Sequence, residues 1–130
     1  MVRWMRPLIL VVLLALGGYA MNIFGLSKAW ASEFRSVSVT ALAAQLKAPN
    51  PPFLLDVREP SEFAENKIEG ATLIPLGTLP ARVGELPKDR PIVVYCRSGN
   101  RSSRAAAFLV EHDFEDVENL TGGMNAWLTR

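Results

Sequence analysis

Pro91-Ile92-Val93-Val94-Tyr95, followed at once by Cys96-Arg97-Ser98-Gly99-Asn100-Arg101-Ser102, is the stretch on which the fold of this chain turns. The first five residues are apolar, β-branched at three positions and too few to make a helix, so they read as a buried strand. From Ser102 to about His112 the period changes. Ala105, Ala106, Phe108 and Leu109 form a narrow apolar face at helical spacing. A buried strand that passes through a short polar loop into an amphipathic helix is half of a βαβ unit.

Reading outward from this centre, the same alternation repeats. Phe34 to Val39 reads as a short strand, and Ser38 or Thr40 can cap a following helix with Leu42, Ala43 and Leu46 on its apolar stripe. Pro49-Asn50-Pro51-Pro52 stops that helix, and Phe53-Leu54-Leu55-Asp56-Val57 is a second compact apolar strand. Its end delivers Asp56, Arg58 and Glu59, and Pro60 suits the first turn of a short helix. Ala71 to Pro75, a helical turn or two over Leu79 to Leu86, a strand over Asp116 to Leu120 and a terminal helix over Met124 to Leu128 complete the series. Strands that alternate with helices predict an α/β fold: a parallel sheet flanked by helices, with its crevice beyond the carboxyl ends of the strands. Cys96 and Arg58 both fall at such ends.

The connection between Tyr95 and Ser102 is therefore where chemistry is expected. Gly99 and Asn100 are the residues best suited to a positive φ, which lets successive backbone N–H groups turn inward as an anion-binding nest. The helix start adds unpaired N–H groups and a partial positive charge, and Arg97 and Arg101 add full ones. A cysteine in that setting ionises more readily than a free thiol and becomes a nucleophile. The competing reading, a buried packing cysteine, needs neither the polar loop nor the two arginines. Cysteine phosphatases use a loop one residue longer than the four residues between Cys96 and Arg101, so the smaller ring favours an anion smaller than a phosphate ester.

Other residues read more plainly. Arg58 can reach into the pocket to bind an anionic substrate, or pair with Glu59 or Glu62 and fix the loop; the second is favoured. Asp56 is expected to accept backbone hydrogen bonds, since attack by a thiolate needs no separate base. His112 ends a helix about 15 Å long, at the far end from Cys96. Trp127 reads as a core anchor.

Composition narrows the function. The 130 residues fit one domain, and a net charge of +1 gives no electrostatic case for nucleic acid. One cysteine and one histidine exclude an intrachain disulfide and a cysteine-cluster metal site, and attack by a thiolate requires no metal or organic cofactor. Much of the 49% hydrophobic content lies in the first thirty residues. Arg3 and Arg6 precede an apolar run, Pro7 to Leu26, and Ala29-Trp30-Ala31 comes after it. Residues 1–31 thus read as a signal peptide cleaved before Ser32, or as a transmembrane anchor through residues 7–26. Either reading places the domain over residues 34–130 outside the cytoplasm, in a periplasm or lumen, because the arginines stay inside.

With these residues in place, the chain resembles the single-domain rhodaneses, the thiosulfate sulfurtransferase family. Cys96-Arg97-Ser98-Gly99-Asn100-Arg101-Ser102 is similar to that family's active-site loop, and Leu55-Asp56-Val57-Arg58-Glu59-Pro60 to its first signature. Asn66-Lys67-Ile68-Glu69-Gly70-Ala71 with Ile74-Pro75-Leu76 resembles its second, and Asn119-Leu120-Thr121-Gly122-Gly123-Met124-Asn125-Ala126-Trp127 its closing segment. Lys67 stands where the family usually has histidine and Glu69 where it usually has proline. The resemblance implies sulfur transfer from a small sulfur-containing anion to a thiol or cyanide through a persulfide on Cys96. It also implies an alternative, a non-enzymatic binding or sulfide-sensing module. A third reading is a small-oxyanion reductase or phosphatase, against which the short loop speaks.

Overall fold

A computed structural model describes residues 33–130. Both readings of residues 1–31, signal peptide and anchor, lie outside the described residues. Among the described residues no helix is long and apolar enough to cross a membrane.

The elements come in the expected order. They are β1 (Arg35–Val37), α1 (Val39–Leu46), β2 (Phe53–Asp56), α2 (Pro60–Glu65), β3 (Thr72–Leu73), α3 (Leu79–Arg82), β4 (Ile92–Tyr95), α4 (Asn100–Glu111), β5 (Val117–Leu120) and α5 (Gly123–Leu128). Short 3-10 turns, Leu76–Thr78 and Val83–Glu85, flank α3. The five strands form one sheet in the order β1-β5-β4-β2-β3, and every pair is parallel. Ser38 caps α1 as expected, its Oγ accepting from Ala41 N–H at 3.1 Å.

Strand alternation sorts the core into two layers. Leu55 of β2 and Val94 of β4, with Val57 and Cys96 just past the ends of those strands, point to the face covered by Ala105, Ala106 and Leu109 of α4. Leu54, Val93 and Tyr95 point to the other face, with Leu42 of α1 and Met124 and Trp127 of α5. β4 is buried along its length and β2 from Leu54 onward, which is why they read as continuous apolar runs rather than alternating ones. Trp127 is a core residue, with the Arg130 guanidinium 3.6 Å from its ring centroid.

One boundary departs from expectation in a way that affects the site. Helix α4 begins at Asn100, two residues before Ser102, and the cap before it is Gly99 at φ +110°. Gly99 therefore supplies the left-handed turn, while Asn100 is helical and does not share it. A single left-handed glycine is enough to reverse the chain, so the helix can start on the next residue.

Candidate active site

Cys96 follows the last residue of β4, at the carboxyl end of the sheet, and is 1% exposed. It is a free thiol. Its Sγ accepts from Gly99 N–H at 3.1 Å and lies 3.3 Å from Ser102 Oγ. Burial pushes the thiol's pKa up, but the Ser102 hydroxyl and the backbone N–H groups of Ser102, Gly99 and Ser98 outweigh it, so the net shift is downward. Donors aimed at the sulfur stabilise the charged form.

The loop's carbonyls are turned the opposite way. Met124 N–H donates to Cys96 O at 2.8 Å and Asn125 N–H to Arg97 O at 3.0 Å. The first turn of α5 thus holds the outer side of the loop and leaves the N–H groups facing the sulfur. This approach is so close that a Cβ on Gly123 would lie 2.4 Å from Cys96 O. Gly123, the second of the paired glycines before Met124, is what lets the two backbones meet.

The three arginines have different fates. Arg58 is 2% exposed, and the ion pair favoured from the sequence is present with a different partner. Its Nη2 lies 2.7 Å from Asp56 Oδ2, Nε bonds both Asp56 oxygens at 3.0 Å, and the remaining donors go to Asn66 Oδ1 at 3.1 Å and Asn66 O at 2.6 Å. Glu59 and Glu62 are not its partners: Asp56, the last residue of β2, is fully buried beside the buried guanidinium, so the two buried charges balance each other. Asp56 also accepts from Arg58 N–H at 2.9 Å, the backbone bond expected of it. Arg101 makes a two-pronged pair with Glu62, at 2.7 and 2.9 Å, which ties the first turn of α4 to α2. The pair holds the Glu62 carboxyl down to about 2, the Arg101 hydrogen bonds outweighing partial burial. Arg97 is exposed and has no carboxylate partner among the described residues.

Arg97 lines a cavity of about 190 Å³ beside the loop, with Arg58, Glu62, Asn66 and Asn125 in its wall. A larger groove of about 690 Å³ runs elsewhere, past Lys67, Glu69, Arg90 and Trp127. The two departures from the family pattern, Lys67 and Glu69, therefore line that groove and not the cavity beside Arg97. Lys67 Nζ sits 4.6 Å from the Phe63 ring centroid. His112 is at the far end of α4, its Nδ1 2.8 Å from Phe108 O.

The structure thus gathers Cys96, Ser98, Gly99 and Ser102 around one sulfur, sets Arg97 at the adjoining cavity and commits Arg101 and Arg58 to carboxylates. Two contributors were not singled out for the site from the sequence. Glu62 fixes Arg101, and Asn119 of β5 approaches Ser102 Oγ at 2.6 Å and Gly99 O at 3.3 Å. Asn119 lies inside the quoted closing segment, but nothing local reveals that β5 runs beside β4.

Comparison with known proteins identifies the family of the fold. Residues 38–130 match the pattern of the rhodanese-like domain. A sulfurtransferase of Allochromatium vinosum is 41% identical over 87 residues, covering 67% of this chain and 81% of that protein. The thiosulfate sulfurtransferase GlpE of Shewanella oneidensis is 35% identical over 96 residues, covering 74% and 94%. Among solved structures, a rhodanese-related protein from Thermoplasma volcanium superposes with a TM-score of 0.68 at 31% identity, covering 74% of this chain and 92% of that one.

Proposed function

The chain belongs to the rhodanese-like domain family, and from that premise we propose that it moves a sulfane sulfur from a donor such as thiosulfate to a thiophilic acceptor through a persulfide on Cys96. The observation that carries the proposal is the pair of donors on one buried sulfur: Gly99 N–H at 3.1 Å and Ser102 Oγ at 3.3 Å. The Cys96 thiolate attacks the outer sulfur of thiosulfate; the new S–S bond forms as the old one breaks, and sulfite leaves with the electron pair. The terminal persulfide sulfur carries the negative charge, and the N–H groups of the loop are placed to hold it. Cyanide or a thiolate then attacks that terminal sulfur and releases Cys96 as the thiolate.

Arg97, beside the cavity and free of carboxylate partners among the described residues, is the cation proposed to receive the anionic donor. Arg101 and Arg58, which the sequence also nominated for substrate binding, are proposed to act by holding the loop and the end of β2. The domain, residues 34–130, is proposed to work outside the cytoplasm, behind the signal peptide or anchor of residues 1–31.

The test is thiosulfate with cyanide on the purified full chain, scored for thiocyanate, together with the mass of Cys96 after thiosulfate alone. A gain of about 32 Da marks the persulfide. Wild type is expected to show both signals, and Cys96→Ser, folded, neither, because a hydroxyl is a far weaker nucleophile at neutral pH. Turnover in the serine variant would remove the mechanism. A thiol that gains no sulfur and yields no thiocyanate would favour the binding module, and release of phosphate from an aryl ester the phosphatase.

A further inference from the structure

We infer that Asn119 is a positioning residue that sets the ionisation of Cys96 by competing for the single hydroxyl proton of Ser102. Ser102 is fully buried, with its Oγ 3.3 Å from Cys96 Sγ and 2.6 Å from Asn119 Oδ1. Two acceptors face one O–H, which can serve only one of them well. The amide cannot resolve the conflict by turning over. Its Nδ2 donates to Gly99 O at 3.3 Å, and a flipped amide would set oxygen against oxygen there. Oδ1 is therefore held toward Ser102.

Two proton arrangements result. In the neutral thiol, Cys96 S–H donates to Ser102 Oγ, and Ser102 O–H donates to Asn119 Oδ1; every proton has a separate acceptor. In the thiolate, the sulfur's proton has gone to solvent and Ser102 O–H swings to Sγ, which leaves Asn119 Oδ1 without that donor. Ionisation thus costs the bond to Asn119, so Asn119 opposes the downward pull that Ser102 and the loop exert on the thiol. Once Cys96 carries a second sulfur, Sγ no longer bears the charge, and the Ser102 proton can return to Asn119. The residue then favours both resting forms over the reactive thiolate.

This inference rests on the reading that Cys96 reacts as its thiolate, but its test needs no sulfur donor. Because Cys96 is the only cysteine, ultraviolet absorbance of the full chain against pH, with Cys96→Ala as the blank, follows that one thiolate. Asn119→Ala is expected to lower the midpoint by about one pH unit, the scale of one hydrogen bond. Ser102→Ala is expected to raise it. In the Ser102→Ala background, Asn119→Ala is expected to change nothing, a dependence that a merely structural asparagine would not show. Asn119→Leu, near in size but lacking the acceptor, must repeat the alanine result, so a folding defect in one variant leaves the other to decide. A midpoint that stays or rises in both asparagine variants, or that falls equally without Ser102, overturns the inference. Titration as expected with no sulfur transfer would refute the proposed function and leave the inference standing.

Discussion

Gly123 and Cys96 are far apart in sequence and in contact in space, and the contact is between backbones. Gly123 has φ +54°, and a Cβ there would meet Cys96 O at 2.4 Å and Arg97 C and O at 2.8 Å. A left-handed alanine costs about 1–2 kcal/mol, and forcing atoms into a packed site about 1–3 kcal/mol more. Gly123→Ala should therefore lower stability by about 2–5 kcal/mol and, by pushing the loop off the sulfur, reduce thiocyanate production at least about tenfold. Gly77→Ala meets open space and no positive φ, and should stay within about 0.5 kcal/mol of wild type. Urea unfolding midpoints of the two variants check the comparison; equal midpoints would show that the close approach does not matter. The same residue scale explains Asn100. A single glycine made the whole reversal, so the second candidate for a positive φ became an ordinary helical residue.

At the scale of elements, the site depends on which helix each strand hands its loop to. Helix α4 opens against α2 through Arg101 and Glu62, and α5 grips the loop through Met124 and Asn125 N–H groups. The Glu62 carboxyl is lowered from an ordinary 4.5 to about 2 in the folded chain. A group whose folded pKa is depressed stabilises the fold above its unfolded pKa and loses that contribution as pH falls through the folded one. The tie between α2 and α4 is accordingly complete at neutral pH and fades between about pH 4.5 and 2. Glu62→Gln should be less stable than wild type at pH 7, and the gap should close across that window. Denaturant midpoints measured from pH 7 to 2 test this, and a gap independent of pH would mean that the carboxylate charge contributes nothing to the tie.

For the whole molecule, the proposal that the domain works outside the cytoplasm rests on the N-terminal sequence and is open to direct test. Arg3 and Arg6 ahead of Pro7–Leu26 favour retention of the N-terminus inside and export of the residues beyond the apolar run. A lone reactive thiol in an oxidising compartment risks mixed disulfides, and a buried sulfur under a tight loop, 1% exposed, limits access by bulky thiols. In spheroplasts that make the full chain, added protease should digest the domain. Cleavage after Ala31 should leave Ser32 as the first residue, and an anchored chain should pellet with membranes and resist carbonate. Protection until lysis would place the domain in the cytoplasm.

What the sequence determined by itself was everything carried by short-range pattern. The apolar runs of β2 and β4, the proline start of α2 and the polar loop after Tyr95 each report a local backbone state, and local states are set by neighbours within a few residues. The parallel sheet came from their alternation, and Cys96 from the loop. The partners came from none of this. Arg58 turned to Asp56 rather than Glu59 or Glu62, and the two buried charges balance each other. Arg101 met Glu62 and Ser102 met Asn119 because β4 lies between β2 and β5, an order that brings α2 and the end of β5 to the same loop. These are properties of that juxtaposition, so only the tertiary structure decided which arginine, among the described residues, lies beside the cavity without a carboxylate partner and which groups stand next to Cys96.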